Sequence, residues 1–276
     1  MKNHPFYGAI VGDIVGSRFE FKPIKTKSFE LFDDACQFTD DTVMTVAIAN
    51  ALLDVRAMGR PLGEAAVDAM RSLAERIDEH GFDVGYGCRF QQWVFAETPQ
   101  PPYHSYGNGS AMRVGAVGLW AATAEEAIDQ ARAVTVVSHD HPEGVKGAVA
   151  TALGVWFAGH GWTKEQMRAR LGKLYPELLA ADYTLERIRP DYAFDETCQR
   201  TVPQALAAFF ESTSYEDAIR NTISLGGDAD TLGAITGAVA GAFYGVPDAF
   251  VARARTFLVQ DLLDGVDRFE AAIASM

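Results

Sequence analysis

An all-α fold, in one domain covering residues 1–276, is what this sequence predicts, and three observations carry the reading. Apolar residues recur at helical spacing through most of the chain, while clean period-two strands are hard to find. Helix-start signals repeat: Thr123-Ala-Glu-Glu126, Thr163-Lys-Glu-Gln166 and Ser214-Tyr-Glu-Asp217 each place a hydroxyl three residues before an acid or amide. No internal repeat, Ser/Gly linker, low-complexity tract or strong charge block divides the chain.

Tyr7–Phe19 opens the predicted helices, with Gly8, Gly12 and Gly16 spaced four apart. Phe21–Phe38 reads as irregular. The next helical run is Thr42–Met58, whose stretch Val43–Ala51 is apolar on nearly every side, so it should be buried. Leu62–His80 follows. Glu97–Asn108, carrying Pro99, Pro101 and Pro102, is irregular and leads into a helical run over Ala111–Ala122. Glu125–Val137 and Gly144–Ala158 keep the helical period, Leu179–Thr197 breaks it, and Gln199–Glu211 and Tyr215–Ser224 resume it. Leu232–Tyr244 is helical again, and Leu232–Phe243 within it is apolar on nearly every side, with Gly233, Gly237 and Gly241 again four apart. Glycines repeated on one face let a neighbouring helix approach closely, at roughly 1 kcal/mol of helix propensity each. A last helix is expected over Ala249–Ile273.

Lys and Arg number 24 against 37 Asp and Glu, a formal charge of −13. That balance excludes a general nucleic-acid binder and an anionic-membrane binder, both of which need basic surface. It leaves open an anionic small molecule in a locally tuned pocket. Leu232–Val246, the most apolar stretch, is too short for a membrane span, and Met1–Pro5 shows no signal peptide. Cys36, Cys88 and Cys198 are odd in number and widely spaced, as reduced thiols of a cytoplasmic protein would be. A monomer is expected.

The polar residues heading the two buried helices carry the chemistry. Thr39-Asp40-Asp41-Thr42 precedes one, and Gly226-Gly-Asp228-Ala-Asp230-Thr231 precedes the other. Helix capping explains one side chain in each. It does not explain two carboxylates plus a hydroxyl, which are costly to desolvate unless paired or metal-bound, and neither motif contains Arg or Lys. Carboxylates and hydroxyls are hard ligands that suit Mg²⁺, Mn²⁺ or Ca²⁺ rather than zinc. If the clusters meet, four negative charges can hold two ions.

The sequence resembles the ADP-ribosylglycohydrolases. Gly12-Asp-Ile-Val-Gly-Ser17 followed by Glu20 looks like the family's opening motif, and Phe38-Thr-Asp-Asp-Thr42 like its first metal motif. Ser105-Tyr-Gly-Asn-Gly-Ser-Ala-Met-Arg113 looks like the ligand loop, Ser138-His-Asp-His-Pro142 like the histidine motif and Gly226–Gly233 like the second metal motif. The matches run in family order along nearly the whole chain. The resemblance implies a compact orthogonal multi-helix fold with two Mg²⁺ (or Mn²⁺) ions at the base of a cleft. It makes Thr39, Asp40, Asp41, Asp228, Asp230 and Thr231 the metal ligands, with Asp230 bridging. It also implies release of ADP-ribose from an acceptor by cleavage at C1″. The acceptor would be a side chain of an ADP-ribosylated protein or a small molecule.

Glu20 matches the family glutamate tied to catalysis, and it would accept a proton from water or from a ribose hydroxyl. Without the motif it would read as a solvated acid at a helix end. Asp83, in Phe82-Asp-Val-Gly-Tyr-Gly87, stands where some relatives place a catalytic aspartate, with N-capping the equal alternative. Asp13 would support the metal shell by hydrogen bonding or merely end a turn. Ser105, Tyr106, Gly107, Asn108, Gly109, Ser110 and Met112 form a Gly-rich loop whose N–H groups suit a diphosphate. Tyr106 would pack on a ribose or adenine face, and Tyr103 is a looser candidate for adenine. The resemblance assigns His139 to the diphosphate or distal ribose, against a turn histidine held by local bonds. Ser138-His-Asp-His-Pro142 looks more like the arginine- and dinitrogenase-reductase-directed members than the serine-directed ones. The competing readings are a catalytically silent ADP-ribose-binding relative and a carboxylate-based phosphohydrolase or prenyl-transfer enzyme. The last explains neither the Tyr106–Gly109 loop nor the missing DDxxD spacing.

Overall fold

The computed structural model describes residues 2–276, and among them helices alternate with turns and loops, with no β-strand. The helices are α1 (Tyr7–Ser17), α2 (Asp40–Met58), α3 (Leu62–Glu79), α4 (Cys88–Val94), α5 (Gly109–Met112), α6 (Gly115–Trp120), α7 (Ala124–Thr135), α8 (Pro142–Gly159) and α9 (Lys164–Leu171). After them come α10 (Leu185–Ile188), α11 (Cys198–Phe210), α12 (Tyr215–Ile223), α13 (Ala229–Tyr244), α14 (Asp248–Arg255) and α15 (Gln260–Ala274). The expected caps form. Thr123 Oγ1 accepts from Glu126 N at 3.1 Å, Ser214 Oγ from Asp217 N at 3.1 Å, and Thr163 with Gln166 closes a full capping box.

α13 is the centre of the molecule. Every residue from Ala229 to Ala242 is buried, and α1, α8, α11 and α12 pack around it. The glycine faces of α1 and α13 meet. A Cβ built on Gly12 would lie 2.0 Å from the Gly233 carbonyl oxygen, and one on Gly237 would lie 2.1 Å from that of Gly8. This backbone-on-backbone approach is what the two glycine series are for. It carries the C-terminal end of α1, with Asp13, against the N-terminal end of α13, with Asp228 and Asp230. Gly12→Ala is therefore expected to lower stability by at least ~3 kcal/mol, the upper part of the overpacking range, because backbone cannot turn aside. Gly159→Ala at the end of α8, where a Cβ meets nothing within 4 Å, should be neutral or mildly stabilising. Urea unfolding midpoints of the two variants check the contrast, and equal midpoints would refute it.

Two predicted helices are each divided. The run expected over Ala249–Ile273 breaks into α14 and α15, because Thr256 Oγ1 donates back to the Arg253 carbonyl at 2.7 Å and Leu258 turns into the core. The run over Ala111–Ala122 breaks at Arg113 and Val114, which face inward and are fully buried. Cys36, Cys88 and Cys198 are all free. No helix among the described residues is long and apolar enough to cross a membrane.

Candidate active site

The site forms where α2 and α13 begin. Thr39 caps α2 by accepting from Asp41 N at 3.2 Å, and it donates through Oγ1 to Asp13 Oδ1 at 2.7 Å. Asp13, fully buried, also accepts from the backbone N–H groups of Thr39 and Thr42, each at 3.1 Å, and from the Thr42 hydroxyl. One carboxylate of α1 thus gathers the first turn of α2. Burial pushes the Asp13 carboxyl up to about 6, against these four hydrogen bonds, which favour its charged form. Ahead of α13, Gly226 and Gly227 take positive φ values of 71° and 79°, a conformation that turns the chain sharply into Asp228. A Cβ on Gly227 would also strike the Tyr192 ring at 2.6 Å.

The acids from the two helix starts converge. Asp13, Asp41 and Asp230 form one group of carboxylates, and Glu20, Asp228 and Asp230 form another, the chosen oxygens of each lying within 4.8 Å of one another. Asp230 belongs to both. Asp41 Oδ2 accepts from Thr231 Oγ1 at 3.2 Å, and Asp41 Oδ1 is buried with no hydrogen-bond partner. Burial first, and neighbouring carboxylates second, raise Asp40, Asp41 and Asp230 well above the usual carboxylate range. Glu20 is pushed up to about 7 by burial, then by Asp228, Asp13 and Glu196. Among the described residues, no basic side chain pairs with these acids. Packed oxygen donors, an orphaned carboxylate oxygen and no Lys or Arg counter-charge fit hard divalent cations.

These acids floor a cavity of about 480 Å³, within the range of small-molecule sites. Glu20, Asp40, Asp41, Asp228, Asp230 and Thr231 line it. Ser105, Gly107, Asn108, Gly109, Met112 and His139 line it as well, together with Tyr103, Arg89 and Arg113. Asn108 joins loop to acids: its Nδ2 donates to Asp228 Oδ2 at 2.7 Å and to Thr201 Oγ1 at 3.1 Å. Glu20 is held by the loop after α1, where Lys25 Nζ donates to the carbonyls of Tyr192 and Leu225, each at 2.5 Å.

Besides Asp13, which lies behind the lining, four residues singled out from the sequence lie outside the cavity wall. Thr39 stands behind Asp41 as a cap. Ser110 is buried and donates to the Gly144 carbonyl at 2.9 Å, so it anchors the loop to α8. Tyr106 is exposed, its ring edge-on to His141 at 5.1 Å rather than turned toward the acids. Asp83 is exposed, and its Oδ1 accepts from Gly85 N at 3.3 Å across a local turn. Its place is therefore the turn role, not a position among the convergent acids. The cavity also has walls that sequence reading missed. Phe21 and Phe194 stack at 5.9 Å with largely exposed faces, Glu196 stands beside them, and Arg89 lies over the Tyr103 ring at 4.9 Å. Hydrogen bonding places Glu196, since its carbonyl accepts from Asn108 N at 2.8 Å. No helical or motif signal marks it.

Two central helix starts of an all-helical body thus bring carboxylates to the lining of a ligand-sized cavity. The family profile described as ADP-ribosylglycohydrolase matches residues 6–275, and the chain belongs to that family. It is a hydrolase of glycosidic bonds. It is 26% identical to the ADP-ribosylhydrolase ARH3 of Homo sapiens over 332 residues, covering 93% of this chain and 89% of that one. The ADP-ribosylarginine hydrolase Tri1 of Pseudomonas putida strain GB-1 is 26% identical, covering 87% of this chain and 69% of that one. A solved structure titled ADP-ribosylglycohydrolase-related protein complex superposes with a TM-score of 0.68 at 22% identity, over 96% of each chain, and shows the same fold.

Proposed function

We propose that this protein hydrolyses the C1″ glycosidic bond of ADP-ribosylated protein side chains, arginine first among them, and releases ADP-ribose with the help of two Mg²⁺ or Mn²⁺ ions. The carrying observation is Asp230, which is shared between two carboxylate groups lining a cavity that Arg89, His139 and the Gly107–Gly109 loop also line. Such a cavity carries both kinds of group. Its carboxylates suit cations and the ribose hydroxyls they draw, and its guanidinium and N–H donors suit phosphate oxygens. Asp41, Asp228 and Asp230, with Asp40 and Thr231 beside them, would hold the ions, and Asp13 would orient the α2 set from behind. When bound, the cations supply charge neutralisation and Lewis-acid polarisation of hydroxyl or water oxygen.

This chain's own residues supply the remaining parts. Glu20 is the proton acceptor, placed beside Asp228 and Asp230 on the cavity floor. Gly109, at the start of α5 and beside His139 and Arg89 in the cavity lining, offers a backbone donor, so an acidic protein can receive an anion. At the cavity mouth, the stacked pair Phe21–Phe194 and the exposed carboxylate Glu196 form an apolar-plus-anionic rim that suits a planar guanidinium. The similarity to an arginine-directed hydrolase and the Ser138-His-Asp-His-Pro142 motif point the same way. The three free thiols fit a cytoplasmic setting, and we read the protein as a monomer.

A panel of arginine-, serine-, acetyl- and nucleobase-linked ADP-ribose conjugates tests the reading. With Mg²⁺, ADP-ribose should be released fastest from the arginine conjugate, and EDTA should stop the release. Turnover of none of the four would favour a binding-only relative, although the complete acid set argues against that outcome.

A further inference from the structure

Arg113 sits in the cavity wall with 0% of its surface exposed and no carboxylate partner among the described residues. Burial lowers its pKa to about 10, so at neutral pH it remains a guanidinium, which donates hydrogen bonds and accepts none. Its Nη2 donates to the Val134 carbonyl at 3.2 Å and to Ser138 Oγ at 2.8 Å. The same Ser138 oxygen, also fully buried, lies 2.9 Å from His139 Nδ1. A serine hydroxyl has one proton. Arg113 cannot take it, so it goes to Nδ1, and the ring proton is left on Nε2. An imidazolium in this place would strand the Ser138 proton without an acceptor. It would also stand beside Arg113 and Arg89, with the Tyr103 and Phe90 rings as its other neighbours, and burial together with those two cations holds His139 well below the ordinary histidine range.

Nε2 faces the part of the loop that lacks side chains. A Cβ on Gly109 would lie 3.4 Å from Nε2, and one on Gly107 would lie 3.7 Å from it. Both glycines and His139 line the cavity. We propose that Arg113 and Ser138 are positioning residues that lock His139 as a neutral Nε2–H donor, aimed through the gap left by Gly107 and Gly109 at an oxygen of the ligand's diphosphate. This rests on the reading of the cavity as an ADP-ribose site. It gives His139 the work of a fixed dipole, neither a proton shuttle nor a metal ligand.

Long-range ¹H–¹⁵N correlation spectra of the full-length protein read the tautomer directly. The wild type should show His139 neutral with its proton on Nε2 at pH 7, and ADP-ribose should move that signal. Ser138→Ala should release the tautomer and raise KM and the ADP-ribose Kd by ~10-fold or more, the loss of one hydrogen bond to a charged acceptor, with kcat little changed. Ser138→Thr, which keeps the hydroxyl, should restore both. An Nδ1–H tautomer or an imidazolium in the wild type would overturn the proposal, and that spectrum decides even if Ser138→Ala fails to fold. So would a His139 signal that ADP-ribose leaves unmoved while raising the melting temperature. If ADP-ribose does not bind at all, yet Nε2–H is present in the wild type and lost in Ser138→Ala, the relay stands and the functional reading falls.

Discussion

Asp230→Ala is expected to abolish the rise in melting temperature that Mg²⁺ or Mn²⁺ gives the wild type, and to cut hydrolysis by more than ~100-fold, beyond what loss of a supporting residue costs. Asp230 is the one carboxylate common to both acid groups, so its removal opens both at once. At a cation concentration 100 times its Kd, binding to the native state adds ~2.7 kcal/mol. For a chain of this size that is a rise of roughly 5–10 °C. The metal-free variant should melt no lower than the metal-free wild type. The substitution removes a buried carboxylate crowded by Asp228 and Asp41, and that crowding is unfavourable until a cation enters. Differential scanning with and without EDTA measures all four states. A variant that keeps the full cation-dependent rise would place the ions elsewhere.

Much of this arrangement was legible in the sequence, for identifiable reasons. The glycine series of α1 and α13 announced a close crossing, and the structure supplies its purpose: Gly16 abuts Ala229 and Asp230, where a Cβ would lie 2.5 Å from the Asp230 Cα. Acids heading two apolar helices announced a site, because buried carboxylates need a physical reason. What stayed hidden depends on side-chain direction. Thr39 and Asp41 are two residues apart, yet Asp41 lines the cavity while Thr39 serves as a cap behind it. Spacing within Ser105–Met112 could not show that Ser110 points back to α8 or that Tyr106 faces His141. Arg89 and Glu196 escaped notice because tertiary contacts set their places: the Tyr103 ring and carbonyl for Arg89 in α4, the Asn108–Glu196 backbone bond for Glu196. The break at Thr256 likewise has no Gly or Pro to mark it.

Glu20→Gln should lower kcat by ~10²–10⁴-fold, the usual contribution of a positioned proton acceptor. The amide keeps the shape of the carboxylate and one acceptor oxygen, but it cannot take a proton. Glu20 also stands in the acid group with Asp228 and Asp230, so a loss of rate could arise from a weakened cation site instead. The melting temperature separates the two causes. Asp228 and Asp230 remain in the variant, as does the whole group of Asp13, Asp41 and Asp230, so most of the cation-dependent rise should survive. A variant that binds cations and ADP-ribose nearly as the wild type does, yet hydrolyses the arginine conjugate at a small fraction of the rate, assigns the proton transfer to Glu20. Near-wild-type turnover would remove Glu20 from the chemistry. Asp83 would not replace it, since its carboxylate is exposed, engaged with Gly85 and outside the cavity wall. The base would then have to be sought among the floor carboxylates. Those are the groups whose crowding calls for cations, so a role as metal ligand and a role as base would compete for the same oxygens. Glu20, half-buried at the edge of that set and reached from a separate loop, is the acid on the floor least subject to that conflict.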